Sequence, residues 1–128
     1  MSDIFTIEII SPDQTILKQE VNEVIIPSFE GQMGILNNHI PLITFLRPGI
    51  ITIKGEGEKR FYIEEGTVEF SNNNLLILTS TARDLVDLDK SKINELLKNV
   101  EENFNNQSTD KERYIASYKL ETLKEISQ

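Results

Sequence analysis

The amino-acid sequence predicts an all-β sandwich or flattened barrel at the N-terminus, followed by a C-terminal α-helical hairpin. Two observations lead to this fold class. Up to about residue 84, short β-branched segments alternate with glycine, proline and asparagine turns, which is typical of many short strands. Beyond that point, apolar residues recur at helical spacing in two segments. We therefore expect a β-sandwich domain over residues 1–84 and a two-helix hairpin over residues 85–128.

The first strands follow from side-chain alternation and turn residues. Residues 4–10 alternate apolar and polar side chains, which is the period of a strand with one buried face. The S-P-D-Q sequence at 11–14 predicts a turn, and 15–18 continues as an extended segment. Residues 24–26 form a β-branched run, and we expect Pro27 to close it because proline lacks the N–H that a ladder needs.

The segment from residue 29 to 49 reads F-E-G-Q-M-G-I-L-N-N-H-I-P-L-I-T-F-L-R-P-G. It contains three glycines, two prolines and the only histidine of the chain. Glycine adopts positive φ without steric cost, so we expect Gly31 and Gly34 to frame a sharply turned loop. Pro41 should limit how the following strand pairs.

Two hairpins complete the predicted β-domain. Residues 50–54 and 60–63 are extended around the glycine turn G-E-G-E. Residues 67–70 and 75–79 are extended around three asparagines at 72–74, and asparagine tolerates the left-handed backbone conformation.

The two predicted helices each have one apolar face. Asp87 or Asp89 should cap the first helix, because aspartate at this position accepts hydrogen bonds from free backbone N–H groups. A polar break follows, and Thr109 with Glu112 matches a capping box that opens a second helix reaching about Ile126. Pairing as an antiparallel hairpin would cover both apolar faces. The apolar residues of the first helix are Ile93, Leu96, Leu97, Val100 and Phe104.

Composition argues against several classes of function. A net charge of −8 disfavours nucleic-acid partners, which need a basic face, and direct binding to anionic lipid. The lack of cysteine excludes disulfides, and one histidine argues against a structural zinc site. No apolar run approaches the roughly 18 residues needed to span a bilayer. The N-terminus has no signal-peptide pattern, so we expect a bacterial cytoplasmic chain or a mature one.

The residues that could carry chemistry do not form a catalytic set. His39 has three open interpretations, namely a base or metal ligand, a local structural role, and a protein contact; its neighbours supply no nucleophile. The E-G-Q-M-G sequence at 30–34 lacks the lysine and following helix of a phosphate-binding loop. Glu64 and Glu65 should point to opposite faces of a strand, which prevents a shared site. We expect no catalytic residue, no metal and no cofactor.

The 29–49 segment resembles the signature of the epsilon subunit family of F-type ATP synthase, which reads E-G-x-x-G-I, then H-x-P-L-[IL], then [KR]-P-G. Three further pieces agree in order: S-P-D-Q near the start, E-E-G-T-V-E-F at 64–70 and L-T-S-T-A-R at 78–83. The resemblance implies a non-catalytic rotor subunit of the central stalk, which couples rotation of the c-ring to ATP synthesis in the catalytic head. It also implies a peripheral location at the cytoplasmic face of the bacterial cell membrane.

The resemblance further implies two contact surfaces. The turned loop would rest on the c-ring through Glu30, Gly31 and Gln32, and the family often carries glutamate at the position of Gln32. The residues implied as gamma-subunit contacts are Ser11, His39 and Thr44.

The C-terminal hairpin raises two further expectations. Some bacterial members bind ATP through a pattern similar to [IL]-D-x-x-R-A, and this chain reads L-D-K-S-K-I at 88–93. Lys92 and Ile93 replace the arginine and the small alanine, so the sequence favours Asp89 as a helix cap over an ATP contact. In bacterial relatives the hairpin can also contact the alpha and beta subunits and block ATP hydrolysis through basic residues. Here acidic residues offset the basic ones, which predicts weak regulation.

Two alternatives stay open at this point. A free-standing interaction adaptor without catalytic activity could have the same architecture, but it has no reason to carry the combined signature in one order. An acidic hydrolase that uses His39 would lose its activity in a His39→Ala variant.

Overall fold

A computed structural model describes residues 3–105 and 109–127. The predicted polar break falls largely on residues 106–108, which lie outside the described part of the chain, as does the side chain of Phe104. The ten strands are β1 (Phe5–Ile10), β2 (Thr15–Val21), β3 (Glu23–Ser28), β4 (Gly31–Leu36), β5 (Leu42–Leu46), β6 (Gly49–Gly55), β7 (Gly57–Ile63), β8 (Gly66–Ser71), β9 (Asn74–Leu78) and β10 (Arg83–Asp84). A 3-10 helix (Leu85–Asp87) and the helices α1 (Lys90–Asn105) and α2 (Asp110–Ile126) follow.

The strands form one sheet that folds back on itself into two layers. One layer has the order β4-β3-β6-β7-β10, and the other has the order β5-β8-β9-β1-β2. The layers join where Ser28 of β3 pairs with Leu46 of β5. Neighbouring strands are antiparallel except for β1 and β9, which pair in parallel. The predicted sandwich with a helical hairpin is therefore confirmed.

Both predicted hairpins are present and turn where the sequence indicates. Gly57 has a φ of 92° between β6 and β7. Asn72 and Asn73 have φ values of 52° and 56° between β8 and β9. These positive values explain why glycine and asparagine occupy the turns.

The two layers enclose a single apolar core. In β1, β6 and β8 alternate residues point inward, so burial there follows the period of two that the sequence shows. Each fully buried aliphatic or aromatic side chain contributes about 1.5–3 kcal/mol relative to an exposed one. The completely buried core residues include Ile7, Ile9, Val21, Val24, Ile26, Ile35, Ile51, Ile53, Ile63, Leu75 and Ile77.

The prediction that Pro27 closes its strand is wrong, because β3 continues to Ser28 and pairs with β4 throughout. The Pro27 carbonyl accepts a hydrogen bond of 2.9 Å from the N–H of Arg47. In an extended residue the amide and carbonyl point to the same side, so the missing N–H also faces away from β4. On that side the pairing of β3 with β6 ends at Ile25. Proline therefore removes no ladder bond here.

The prediction that Gly34 frames the turned loop is also wrong. Gly34 lies within β4 opposite Ile25, and its φ is not positive. In the turn between β3 and β4 only Gly31 has positive φ, at 119°, and it directly follows the two-residue loop of Phe29 and Glu30. One glycine suffices because neither Phe29 nor Glu30 adopts positive φ.

The helical hairpin has its own apolar cluster. The Asp89 carboxylate accepts from the N–H of Lys92 at 2.8 Å, which settles the first N-cap, and the Thr109 hydroxyl accepts from the N–H of Glu112 at 3.1 Å. Neither described helix combines the length and hydropathy needed to cross a membrane. The buried residues of the cluster are Tyr62, Leu88, Ile93, Val100, Ala116 and Leu123.

Gly66→Ala should destabilise the sandwich. An added Cβ at Gly66 would lie 2.8 Å from the carbonyl oxygen of Leu78 and 3.1 Å from Leu46 Cδ1, so backbone on the neighbouring strand would have to move. We expect a loss of about 1–3 kcal/mol in the free energy of unfolding, measured by urea denaturation.

Gly34→Ala is the matched control, because the nearest atom to its added Cβ is Glu23 Oε2 at 3.6 Å, an ordinary contact. It should change stability by less than about 0.5 kcal/mol. Equal losses in the two variants would show that close approach of backbone at Gly66 is not what limits that position.

Candidate functional site

The turn between β3 and β4 forms an exposed tip, defined here as residues 29–32. Ser28 is fully buried beneath it; its hydroxyl donates to the Gly31 carbonyl at 2.7 Å and accepts from the Glu30 N–H at 3.2 Å. The side chains of Glu30 and Gln32 are exposed. Nothing lies within 4 Å of a Cβ built on Gly31, so glycine is needed there for its φ. The structure thus brings Glu30, Gly31 and Gln32 together on a turn that a buried hydroxyl holds in place.

A second exposed surface covers the outside of β5, β8 and β9. Along β5 the side chains alternate, so that Ile43 and Phe45 are 75% and 60% exposed while Leu46 is 2% exposed. Register aligns these strands, and we call the surface the outer face. Exposed apolar side chains of this size in one area are typical of an interaction surface. The outer face consists of Ile43, Phe45, Thr67, Glu69, Leu76 and Leu78.

The tip and the outer face are continuous. The N–H of Phe29 donates to the carbonyl of Phe45 at 3.2 Å, and the Phe29 side chain is 45% exposed. The sandwich therefore has two exposed surfaces. The tip is a turn with mostly polar side chains, and the outer face is largely apolar.

The three residues predicted to contact a gamma subunit are not brought together. The Thr44 side chain is only 5% exposed and points into the sandwich, so a side-chain contact from β5 would come from its neighbours Ile43 and Phe45. The sequence contains the signal that we missed, because alternation from the inward Leu46 places Thr44 inward and the other two outward.

His39 and Ser11 lie at opposite ends of the β5–β8–β9–β1 layer. The His39 ring meets Phe70 edge-on with centroids 5.8 Å apart, and its Nδ1 is 2.7 Å from the carbonyl oxygen of Ile40. These contacts support the local structural role among the three open interpretations. The Ser11 hydroxyl donates to the carbonyl of Gln14 at 3.2 Å within the first turn.

Glu64 and Glu65 lie in the connection between β7 and β8 rather than on a strand. The Glu64 carboxylate accepts from the Tyr62 hydroxyl at 3.0 Å, whereas the Glu65 carboxylate accepts from the Ser80 hydroxyl at 2.8 Å. The two carboxylates thus have separate partners, although the reason is the turn and not the strand pleat that we expected. Within residues 3–105 and 109–127, no three His, Cys, Asp or Glu side chains are grouped to hold a metal ion.

The helical hairpin contacts the sandwich at Tyr62 and through α2, which packs against β6. Tyr62 of β7 is completely buried and belongs to the apolar cluster of the helices. The Arg47 guanidinium lies 4.4 Å from the ring centroid of Tyr118, and Lys119 Nζ lies 4.0 Å from Glu64 Oε1. Burial, and then the Glu64 carboxylate, raise the pKa of the Tyr62 hydroxyl far above its usual value, so this hydroxyl stays protonated and donates to Glu64.

Comparison with known proteins identifies the family. The family model for the ATP synthase, delta/epsilon chain, beta-sandwich domain matches residues 4–84. The ATP synthase epsilon chain of Pelagibacter ubique is 48% identical over 99% of this chain and 100% of its own length. The chain belongs to the ATP synthase epsilon chain family. The predicted non-catalytic central-stalk subunit is therefore confirmed over both alternatives, the adaptor and the hydrolase.

More distant members of the family and solved structures agree with this assignment. The epsilon chain of Afipia carboxidovorans is 32% identical over 97% of this chain and 92% of its own length. A chain in the cryo-EM structure of the Euglena gracilis mitochondrial ATP synthase has the same fold, with a TM-score of 0.82 and 23% identity over 100% of this chain and 84% of that one. A chain in the central stalk and c-ring structure of the Tetrahymena thermophila enzyme gives a TM-score of 0.67 at 16% identity, covering 96% of each.

Tyr62→Ala should release the hairpin from the sandwich. Tyr62 is the sandwich residue in the buried apolar cluster of the helices, and truncating a large buried aromatic residue costs about 3–5 kcal/mol. We expect amide hydrogen exchange over residues 90–126 to accelerate roughly tenfold or more, while the strands of the first core stay protected.

Lys98→Ala is the control for this measurement, because Lys98 lies on α1 with an exposed side chain. It should leave the exchange pattern of the helices nearly unchanged. Uniform acceleration across the sandwich and the helices in Tyr62→Ala would show instead that both parts unfold as one unit.

Proposed function

We propose that this chain couples two moving parts of ATP synthase by binding the gamma subunit through the outer face and the c-ring through the tip. The observation that carries this proposal is the continuity of the two surfaces on one sandwich, where Phe29 bonds to Phe45. A subunit that transmits rotation needs contact surfaces held rigidly relative to each other rather than a reactive group. The shared core of both layers supplies that rigidity.

The outer face suits a permanent protein partner. Its exposed side chains include Ile43 at 75%, Phe45 at 60% and Leu78 at 45%. Leaving such side chains in water forgoes about 25 cal/mol for each Å² of apolar surface that a partner could cover. Apolar residues in the centre of an interface, with polar residues around them, are typical of stable protein contacts.

The tip suits a contact with polar loops. It offers the carboxylate of Glu30, the amide of Gln32 and the open space beside Gly31. Neutral Gln32 can donate and accept hydrogen bonds but makes no ion pair. In the proposed arrangement the subunit lies peripherally, at the cytoplasmic face of a bacterial membrane.

The C-terminal hairpin is proposed to act as a separate domain over residues 85–128 with weak regulatory effect. Lys119 already lies against Glu64 of the sandwich, and acidic side chains balance the basic ones on α2. A contact with the alpha and beta subunits would therefore gain little from charge. An ATP contact by Asp89 is disfavoured as well, because this carboxylate already caps α1.

Ile43→Asp should strongly weaken gamma binding by placing a second carboxylate beside Glu69 on the outer face. With purified gamma subunit and the full chain, we expect the dissociation constant to rise at least roughly a hundredfold, because an unpaired charge in a desolvated interface costs several kcal/mol.

Val86→Asp provides the control, since Val86 is 90% exposed and lies on the 3-10 helix rather than the outer face. Its affinity for gamma should match that of the wild type. Loss of binding in Val86→Asp but not in Ile43→Asp would move the gamma site to the opposite side of the sandwich.

Deletion of residues 88–128 should leave assembly and ATP synthesis largely intact. We expect ATP hydrolysis by membranes to rise by less than roughly twofold, because the mixed charges of α2 give weak and salt-screened attraction. A large increase in hydrolysis that is reversed by restoring the hairpin would identify a strong inhibitor and contradict the proposal.

A further inference from the structure

One carboxylate interrupts the apolar outer face. Register places Glu69 of β8 directly between Ile43 of β5 and Leu76 of β9. Its side chain is exposed on the same side of the sheet as those of Ile43 and Leu78. Glu69 therefore belongs to the surface that a docked partner would cover, with an apolar side chain on each side of it.

The sheet supplies no cation beside this carboxylate. The residues before and after it on the same face of β8 are Thr67 and Ser71. The diagonal positions on the neighbouring strands, which are within reach of long side chains, are also uncharged. These diagonal neighbours are Pro41 and Phe45 on one side and Asn74 and Leu78 on the other.

Glu8 and Glu20, the other two acidic residues on this layer, have a different environment, and Glu20 lies two residues from Lys18 on the same face of β2. Glu8 of β1 pairs with Leu76 on one side and with Lys18 of β2 on the other. A basic residue in the same sheet therefore lies opposite Glu8, whereas Glu69 has none. The difference makes Glu69 the carboxylate whose charge must be met from outside the chain.

Covering Glu69 without a counter-charge would be costly. Moving an ionised carboxylate out of water without a partner has an unfavourable free energy of several kcal/mol. This is more than the favourable free energy that each neighbouring apolar contact contributes. A partner of this face must therefore bring a donor to Glu69, and a charged donor offsets the desolvation best.

We infer that Glu69 is the specificity-determining residue of the outer face, and that it selects a partner surface with a lysine or arginine set among apolar side chains. This inference rests on the proposed binding of gamma through the same face. Partners with a neutral or acidic centre are rejected, because they leave the carboxylate unpaired or face it with a like charge.

The test compares Glu69→Gln with wild type for binding of the full chain to purified gamma subunit, at low and at physiological salt. Glutamine keeps the shape and removes the charge. We expect the dissociation constant to rise roughly tenfold or more, since a hydrogen bond to a charged group is worth about 1.5–3 kcal/mol. The salt dependence of binding should become flatter. Glu69→Lys should weaken binding further.

Glu95→Gln makes the same change of net charge on an exposed position of α1 and should bind like wild type, within about twofold. Thermal unfolding of all variants separates binding effects from folding effects. Wild-type affinity and salt dependence in Glu69→Gln would overturn the inference, and so would tighter binding, which would show a carboxylate buried without a cation.

The same measurements distinguish failure of this inference from failure of the proposed function. If wild type binds gamma and Ile43→Asp does not, but Glu69→Gln binds normally, the outer face is the docking site and the charge-selection inference alone is wrong. If wild type does not bind gamma at all, both fall together.

Discussion

The alternation of side chains along β5 is the constraint on which the exposed surfaces depend. Thr44 and Leu46 must point inward, because Leu46 fills the core where the two layers join at Ser28. The period of two then forces Ile43 and Phe45 outward, although exposing these apolar side chains to water is unfavourable. The same junction brings the tip beside β5, through the bond from Phe29 to Phe45. The inward position of Leu46 therefore creates the outer face and fixes its position relative to the tip.

The helical hairpin depends much less on that core. Its buried residues form a cluster of their own, to which the sandwich contributes Tyr62. The other attachments are the stacking of Arg47 on Tyr118 and the contact of Lys119 with Glu64, both at partly exposed positions. Contacts of that kind contribute about 1 kcal/mol or less each. Because α2 also packs against β6, the hairpin is held by Tyr62 together with these weaker contacts.

Local signals in the sequence were sufficient for the architecture. Asparagines at 72 and 73, a glycine at 57 and the caps Asp89 and Thr109 all act within a few residues of the chain, so sequence could predict them. Features set by distant strands could not be predicted in this way. Pro27 is tolerated inside β3 because of where β6 stops pairing and where Arg47 lies, which depends on the fold of both layers.

The residues of the candidate site can also be divided into those set by local signals and those set by distant strands. The tip residues Glu30, Gly31 and Gln32 were found because a glycine turn is a local signal. The outer face was missed because Thr44 was the β5 residue that the resemblance implied as a contact, whereas burial assigns the surface to its two neighbours. The isolation of Glu69 needs the register of three strands, since Ile43 lies on a strand that is far from it in sequence.

Site-specific cross-linking tests the central claim most directly, because the chain contains no cysteine and any introduced thiol is unique. Phe45→Cys and Gln32→Cys would be incorporated into ATP synthase in membranes, cross-linked with a short bifunctional reagent and analysed by mass spectrometry. Phe45→Cys should link to the gamma subunit and Gln32→Cys to the c-ring, while the control Val86→Cys should link to neither. Links from both surfaces to the same subunit, or from Phe45→Cys only to the catalytic head, would contradict a sandwich that joins stalk and ring through two separate faces.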